Sequence, residues 1–166
     1  MHKQLTYLIL MLTIALTSAC GGGGSQSAAT PRTIKAVVKP SALAAGLNVA
    51  GINLSITVPL GVAPPLKADG KADPAATVEI TSSAPQNQTL PGATYTPATT
   101  AAPGRLDIFG IVASGFQPTD TITIHLNIAA GSTPASSDFN LINFEAFDTS
   151  GAAVTGLSPT LTTTIY

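Results

Sequence analysis

The stretch TITIHLNI, residues 121–128, decides the fold class of this chain, and INLSITV, residues 52–58, repeats its pattern. In both stretches every second side chain is a large aliphatic one, and the side chains between them are polar. Strict alternation of this kind is typical of a β-strand with one face in the core and the other toward solvent. Each stretch therefore predicts a half-buried β-strand.

Weaker alternation elsewhere extends this prediction to a whole domain. It occurs at residues 34–38, 77–81, 105–112, 139–147 and 157–166, with turn-forming residues between these segments. After residue 19, no window of helical length has an apolar stripe free of proline and glycine. Seven or more short strands with polar loops predict an all-β fold, an antiparallel sandwich of two sheets.

The alternation also predicts the core and one irregular strand. The inward-facing side chains are expected to include Leu54, Ile56, Ile122, Ile124, Leu126, Phe139 and Leu161. Leu141 and Ile142 are adjacent apolar residues, so they interrupt the alternation of their segment. This interruption predicts a β-bulge at that point.

The N-terminal residues show a different pattern, which resembles the signal peptide of a bacterial lipoprotein. The basic residues His2 and Lys3, an apolar segment at 5–16 and small residues up to Ala19 precede Cys20, the only cysteine. The apolar segment is shorter than the roughly 18 to 20 residues needed to span a bilayer. The resemblance implies cleavage after Ala19 and a lipid on Cys20, and an ordinary secretory signal cut elsewhere is the alternative.

The chain is accordingly predicted to have three parts. These are the signal peptide at 1–19, the lipidated cysteine with a Gly/Ser-rich tether at 20–31, and one sandwich domain at 32–166. The predicted location is the cell envelope, and Gly21 favours the outer membrane if the host resembles enteric Gram-negative bacteria. A single cysteine forms no intrachain disulfide, so we expect the hydrophobic core alone to stabilise the domain.

The composition argues against two classes of protein. Charged residues make up 9% of the chain, its formal net charge is −1, and no cluster of lysine and arginine occurs. A nucleic-acid-binding protein would carry a basic face, so we expect no nucleic-acid partner. The low charge and the hydrophobic content of 45% argue against intrinsic disorder.

Residues for catalysis or metal binding are scarce. After residue 19 the only histidine is His125, and neither a serine nucleophile motif nor the spacing of a zinc site accompanies it. The loop at 69–73 contains two aspartates and a glycine, but Lys71 stands where a calcium ion would need an oxygen ligand. We therefore expect no enzyme activity, no cofactor and no metal site, with a loose calcium site at this loop as the alternative.

The order of strands and turns in the C-terminal half carries a family resemblance. It runs through the segment at 105–112, the turn Gly115-Phe116, the alternating run at 120–129, the proline-bearing turn at 131–134 and the segment at 137–148. Together with a less distinct N-terminal half, residues 32–166 resemble a cohesin-type domain. The resemblance implies a jelly-roll sandwich, close to several carbohydrate-binding modules, and a dockerin-like protein partner.

These observations predict a lipid-anchored, non-catalytic module of the cell envelope that binds or scaffolds another protein. The candidate surface is the polar face of the strand at 121–128, made of Thr121, Thr123, His125 and Asn127. The alternative is a carbohydrate-binding lipoprotein linked to polysaccharide degradation. Sugar rings usually stack on exposed aromatic side chains, but no tryptophan is present, and we expect the core to take all five phenylalanines.

Overall fold

The structure, a computed structural model, describes residues 32–40 and 48–166. Cys20, the predicted signal peptide and the predicted tether lie outside the described residues, so the three-part division of the chain stays a prediction. The described elements, in chain order, are β1 (Arg32–Lys39), β2 (Gly51–Val58), β3 (Val62–Ala63), α1 (Pro74–Thr77), β4 (Val78–Thr81), β5 (Thr89–Thr96), β6 (Gly104–Val112), β7 (Thr121–Ile128), β8 (Leu141–Phe147), β9 (Ala153–Val154) and β10 (Thr160–Ile165).

The strands form two antiparallel sheets, which we call sheet A and sheet B. In sheet A the order is β10, β1, β7 and β3, and β4 also pairs with β7. In sheet B the order is β5, β6, β2, β8 and β9. The buried side chains of both sheets belong to one hydrophobic cluster. The predicted all-β fold, an antiparallel sandwich of two sheets, is confirmed.

The two strictly alternating stretches supply an interior strand to each sheet. TITIHLNI is β7 of sheet A, and INLSITV makes up most of β2 of sheet B. Their predicted inward side chains are at most 1% exposed: Leu54, Ile56, Ile122, Ile124 and Leu126. Burying one such side chain stabilises the fold by about 1.5 to 3 kcal/mol. Phe139 is also buried, whereas Leu161 is only partly buried because β10 is the edge strand of sheet A.

The predicted bulge is present in β8. In the register with β2, Ser55 lies opposite Asn143, but the next residue, Ile56, lies opposite Leu141. Ile142 is therefore the extra residue, and its side chain is 51% exposed. An additional residue on one strand lets the chain keep Leu141 and Phe144 packed against the core on either side of it.

Three strands were missing from the sequence prediction: the two-residue strands β3 and β9, and the longer strand β5. Strand β5 contains Pro91 and Gly92, which weaken a strand pattern and favoured a turn in this segment. Proline is tolerated here because, among the described strands, β5 pairs only with β6 and forms the edge of sheet B. The predicted start of β4 was also one residue too early, because Thr77 ends α1 and β4 begins at Val78.

Two polar side chains connect loops and sheets around the core. The buried carboxylate of Asp120 accepts hydrogen bonds from the backbone of Gln117 (2.9 Å) and from the Ser82 hydroxyl (2.8 Å). It thereby joins the turn before β7 to the loop after β4. The hydroxyl of Tyr95 on β5 donates to the carbonyl of Val62 on β3 at 2.9 Å, which ties an edge of sheet B to sheet A.

Candidate functional site: the outer faces of the two sheets

The predicted polar face lies on the solvent side of β7, but only part of it is accessible. Asn127 is exposed, and Thr121 and His125 are partly exposed. Thr123 differs from the expectation, because its exposed fraction is only 3%. Glu79 of β4 lies opposite Thr123 in the register, and its carboxylate reaches a ring nitrogen of His125 at 3.1 Å. The β7 face therefore offers separate polar groups around a covered threonine.

The outer face of sheet B has an apolar end. In the register, Leu90 of β5 lies opposite Ile111 of β6, Ile111 lies opposite Gly51 of β2, and Gly51 lies opposite Phe147 of β8. Directly opposed residues of antiparallel strands share a face, so these side chains form a row across the sheet. Leu90 is 56% exposed and Ile111 is 40% exposed. Because Gly51 has no side chain, the surface is depressed in the middle of this row.

Phe109 extends this apolar end and contradicts the expectation that the core takes all five phenylalanines. It occupies one of the outward-facing positions of β6, and 42% of its surface is exposed. Its ring lies over Gly92 of β5, where a methyl group would overlap the ring carbons. The ring thus leans toward the sheet edge and away from β2, which leaves the surface above Gly51 and Asn53 open.

The other end of this face is polar. Arg105 donates from Nε to a carboxylate oxygen of Asp107 at 2.7 Å and from Nη2 to the hydroxyl of Ser55 at 3.0 Å. The Ser55 hydroxyl in turn donates to the same carboxylate oxygen of Asp107. These three contacts fix the orientation of both charged side chains. Asn143 and Glu145 of β8 lie beside them on the same face.

Two adjoining depressions lie over the apolar and polar ends of this face, and we call them together the sheet B groove. Its apolar part has a volume of about 480 Å³ and lies between Phe109 and Phe147, over Gly51 and Asn53. Its polar part has a volume of about 250 Å³ and includes Arg105 and the residues around it. Asn53 and Phe109 line both parts.

A tight turn after β8 closes one end of the groove. One carboxylate oxygen of Asp148 accepts hydrogen bonds from the backbone and hydroxyl of Ser150, at 2.8 and 2.7 Å, and from the backbone of Ala152 at 2.9 Å. These bonds, led by the Ser150 hydroxyl, lower the pKa of Asp148 below its ordinary value of 3.8. Gly151 has a φ of 82°, a backbone conformation that favours glycine.

The two aspartates of the loop at 69–73 already accept hydrogen bonds from nearby backbone groups. Asp69 accepts a hydrogen bond from the backbone of Lys71 at 3.1 Å, and Asp73 caps α1 by accepting from the backbone of Ala75 at 3.2 Å. Among residues 32–40 and 48–166, no three His, Cys, Asp or Glu side chains come together in a group that could hold a metal ion. The same described residues contain no helix long and apolar enough to cross a membrane.

Comparison with known proteins gives no further assignment. No protein-family model, no curated protein and no solved structure matches this chain.

The alternating pattern of β6 was a signal for the sheet B groove, but an expectation based on composition alone missed it. Leu106, Ile108 and Val112 of β6 face the core, so the alternation places Phe109 and Ile111 on the opposite face. All five phenylalanines were expected in the core, but only Phe116 and Phe139 are buried. Position along the strand decides which face a side chain takes, regardless of its hydrophobicity.

Proposed function

We propose that this chain is a non-catalytic binding module of the cell envelope, held at the membrane by a lipid on Cys20, that contacts its partner through the sheet B groove. The observation that carries the proposal is the exposure of Phe109 and Ile111 beside a set of ordered polar side chains. Large apolar side chains grouped on a surface and bordered by polar ones are typical of interaction sites.

A protein partner is the first candidate. The cohesin resemblance implies a dockerin-like protein, and Gly21 favours the outer membrane if the host resembles enteric Gram-negative bacteria. In such an interface the apolar end of the groove would form the dry centre, and the Arg105–Asp107 pair would lie at the polar rim. The module would then hold an envelope or surface protein close to the membrane.

Carbohydrate is the second candidate, and a specific observation favours it. The sequence argued against it because no tryptophan is present and the core was expected to take all five phenylalanines. Phe109 is available, and Phe147 lies across the groove from it with part of its surface accessible. Aromatic rings beside hydrogen-bonding groups are suited to ligands that have both apolar and polar surfaces.

The anchor and the groove are tested together by substitutions in the full-length protein. Cys20→Ser is expected to abolish lipid labelling and to move the protein out of the membrane fraction, or to leave an unlabelled precursor. Soluble Cys20→Ser protein is expected to co-sediment with lipid-extracted envelopes of the producing bacterium, because the groove is intact. Adding Phe109→Lys should abolish this co-sedimentation, since a charge then replaces the exposed ring.

The matched control is Leu60→Lys. Leu60 is 59% exposed and lies in the turn after β2, at the end of that strand away from the apolar end of the groove. This variant should co-sediment like its parent. Unchanged lipid labelling of Cys20→Ser would refute the anchor, and equal co-sedimentation of the two lysine variants would refute the groove.

A further inference from the structure

The shape of the groove depends on a pair of residues on neighbouring strands, Gly92 and Phe109. They are directly opposed in the register of β5 and β6, and the Phe109 ring occupies the space where any other residue at position 92 would place its Cβ. An aromatic ring that covers a cross-strand glycine is a known stabilising arrangement for an edge strand. Here it also draws the ring away from β2 and keeps the groove open above Gly51.

The dimensions of the open groove suit a slender ligand. Its two parts, about 480 and 250 Å³, fall within the usual range of roughly 300 to 1,000 Å³ for small-ligand sites when taken together. A stable protein interface buries roughly 800 Å² on each partner, which is a broad surface rather than a narrow channel. The groove crosses β6, β2 and β8, so its length allows an extended chain to lie across several strands.

The charges of the groove indicate what kind of chain it accepts. Arg105 is the only cationic side chain among the described residues that line it, and Asp107 already pairs with that guanidinium at 2.7 Å. Glu145 and Asp148 add negative charge on the β8 side. An acidic chain would be repelled by these carboxylates, whereas an uncharged chain meets hydrogen-bonding groups whose positions are already fixed.

We infer that the sheet B groove binds an extended neutral glycan, with sugar rings against Phe109 and Phe147 and sugar hydroxyls toward Asn53 and the Arg105–Asp107 pair. This inference rests on the proposed function and names the ligand class of the same site. A neutral sugar ring has an apolar C–H face and a polar hydroxyl rim, and the groove presents an apolar end and a polar end side by side. Gly92 is a positioning residue, because it sets where the Phe109 ring lies.

The test is calorimetric titration of the detergent-solubilised full-length protein with neutral hexasaccharides: cellohexaose, xylohexaose, mannohexaose and maltohexaose. At least one is expected to bind, and polygalacturonate is not. Phe109→Ala should weaken binding at least about tenfold, as the loss of an aromatic stacking contact does. Gly92→Ala should weaken it similarly, because the added methyl group pushes the ring back over β2.

A double-mutant cycle distinguishes this mechanism from general damage. If Gly92 acts through the Phe109 ring, the Gly92→Ala, Phe109→Ala double variant binds no more weakly than Phe109→Ala alone. Leu60→Ala, the control, leaves affinity unchanged, and circular dichroism checks that each variant is folded. Additive losses, preference for polygalacturonate, or no binding of any neutral hexasaccharide would overturn the inference. In the last case, loss of envelope co-sedimentation in Phe109→Lys would still support the proposed function with a protein partner.

Discussion

At the scale of single residues, the buried hydroxyl of Thr77 is energetically unfavourable. It is fully buried at the end of α1, and within the described part of the chain its hydroxyl has no hydrogen-bond partner. A buried hydroxyl without a partner costs about 1 to 3 kcal/mol in lost hydration. The buried carboxylate of Asp120, which accepts from three donors, shows the opposite case.

Thr77→Val is therefore expected to leave the free energy of unfolding unchanged or to raise it by about 1 kcal/mol, because valine has the same shape without the hydroxyl. Thr77→Ala is the control: it removes a methyl group as well and should lower stability through a cavity. Both are measured by urea denaturation. A loss above about 1 kcal/mol in the valine variant would mean that the hydroxyl has a partner and that this description of the site is wrong.

Residues also show which parts of the surface could be predicted. The outward position of Phe109 follows from the alternation of its own strand, so local sequence was sufficient to predict it. Thr123 is buried between Val37 of β1 and Glu79 of β4, two residues of other strands that only the fold places opposite it. Sequence alternation assigns a side chain to a face, but which neighbours cover that face depends on strand order, which alternation does not specify.

Among the elements, β5 makes contacts with both sheets. Its backbone pairs with β6 along eight positions, and the Tyr95 hydroxyl donates to the Val62 carbonyl of β3 in the other sheet. Burial raises the pKa of Tyr95 above its ordinary value of 10.0. The contribution of this group to stability is therefore present below pH 10 and is lost as the pH rises through the raised pKa.

Tyr95→Phe tests this connection. It is expected to lower the free energy of unfolding by about 1 kcal/mol, since it removes the hydrogen bond and leaves the carbonyl of Val62 without that donor. Chemical denaturation measures the loss, and hydrogen exchange should show faster exchange in β5 than in β2. An unchanged free energy of unfolding would show that the two sheets do not need this bond.

The elements also explain why β5 was missed while β2 and β7 were predicted. The interior strands β2 and β7 bury aliphatic side chains on one face and carry polar ones on the other, so their sequences alternate strictly. Strand β5 is an edge strand, where Pro91 and Gly92 are tolerated, and its strand conformation comes from pairing with β6 rather than from its own residues. The bulge at Ile142 was predictable because an interruption of alternation is local.

For the whole molecule, the two outer faces differ in a way that bears on function. Sheet A presents threonine and charged side chains, with Thr123 covered and His125 paired with Glu79. Sheet B presents a groove with Phe109 and Phe147 at one end and the Arg105–Asp107 pair at the other. The exposed side chains of both faces lie outside the shared core, so replacing them should leave the fold intact.

The central claim, that the partner is bound at sheet B, is tested most directly by site-specific photo-crosslinking in cells that make the full-length protein. A photoreactive amino acid is placed at Asn53 in the groove or at Asn127 on β7, two exposed asparagines on interior strands of the two sheets. We predict an adduct with envelope material from position 53 and none above background from position 127. An adduct from position 127 with none from position 53 would contradict the claim and return the binding surface to the β7 face.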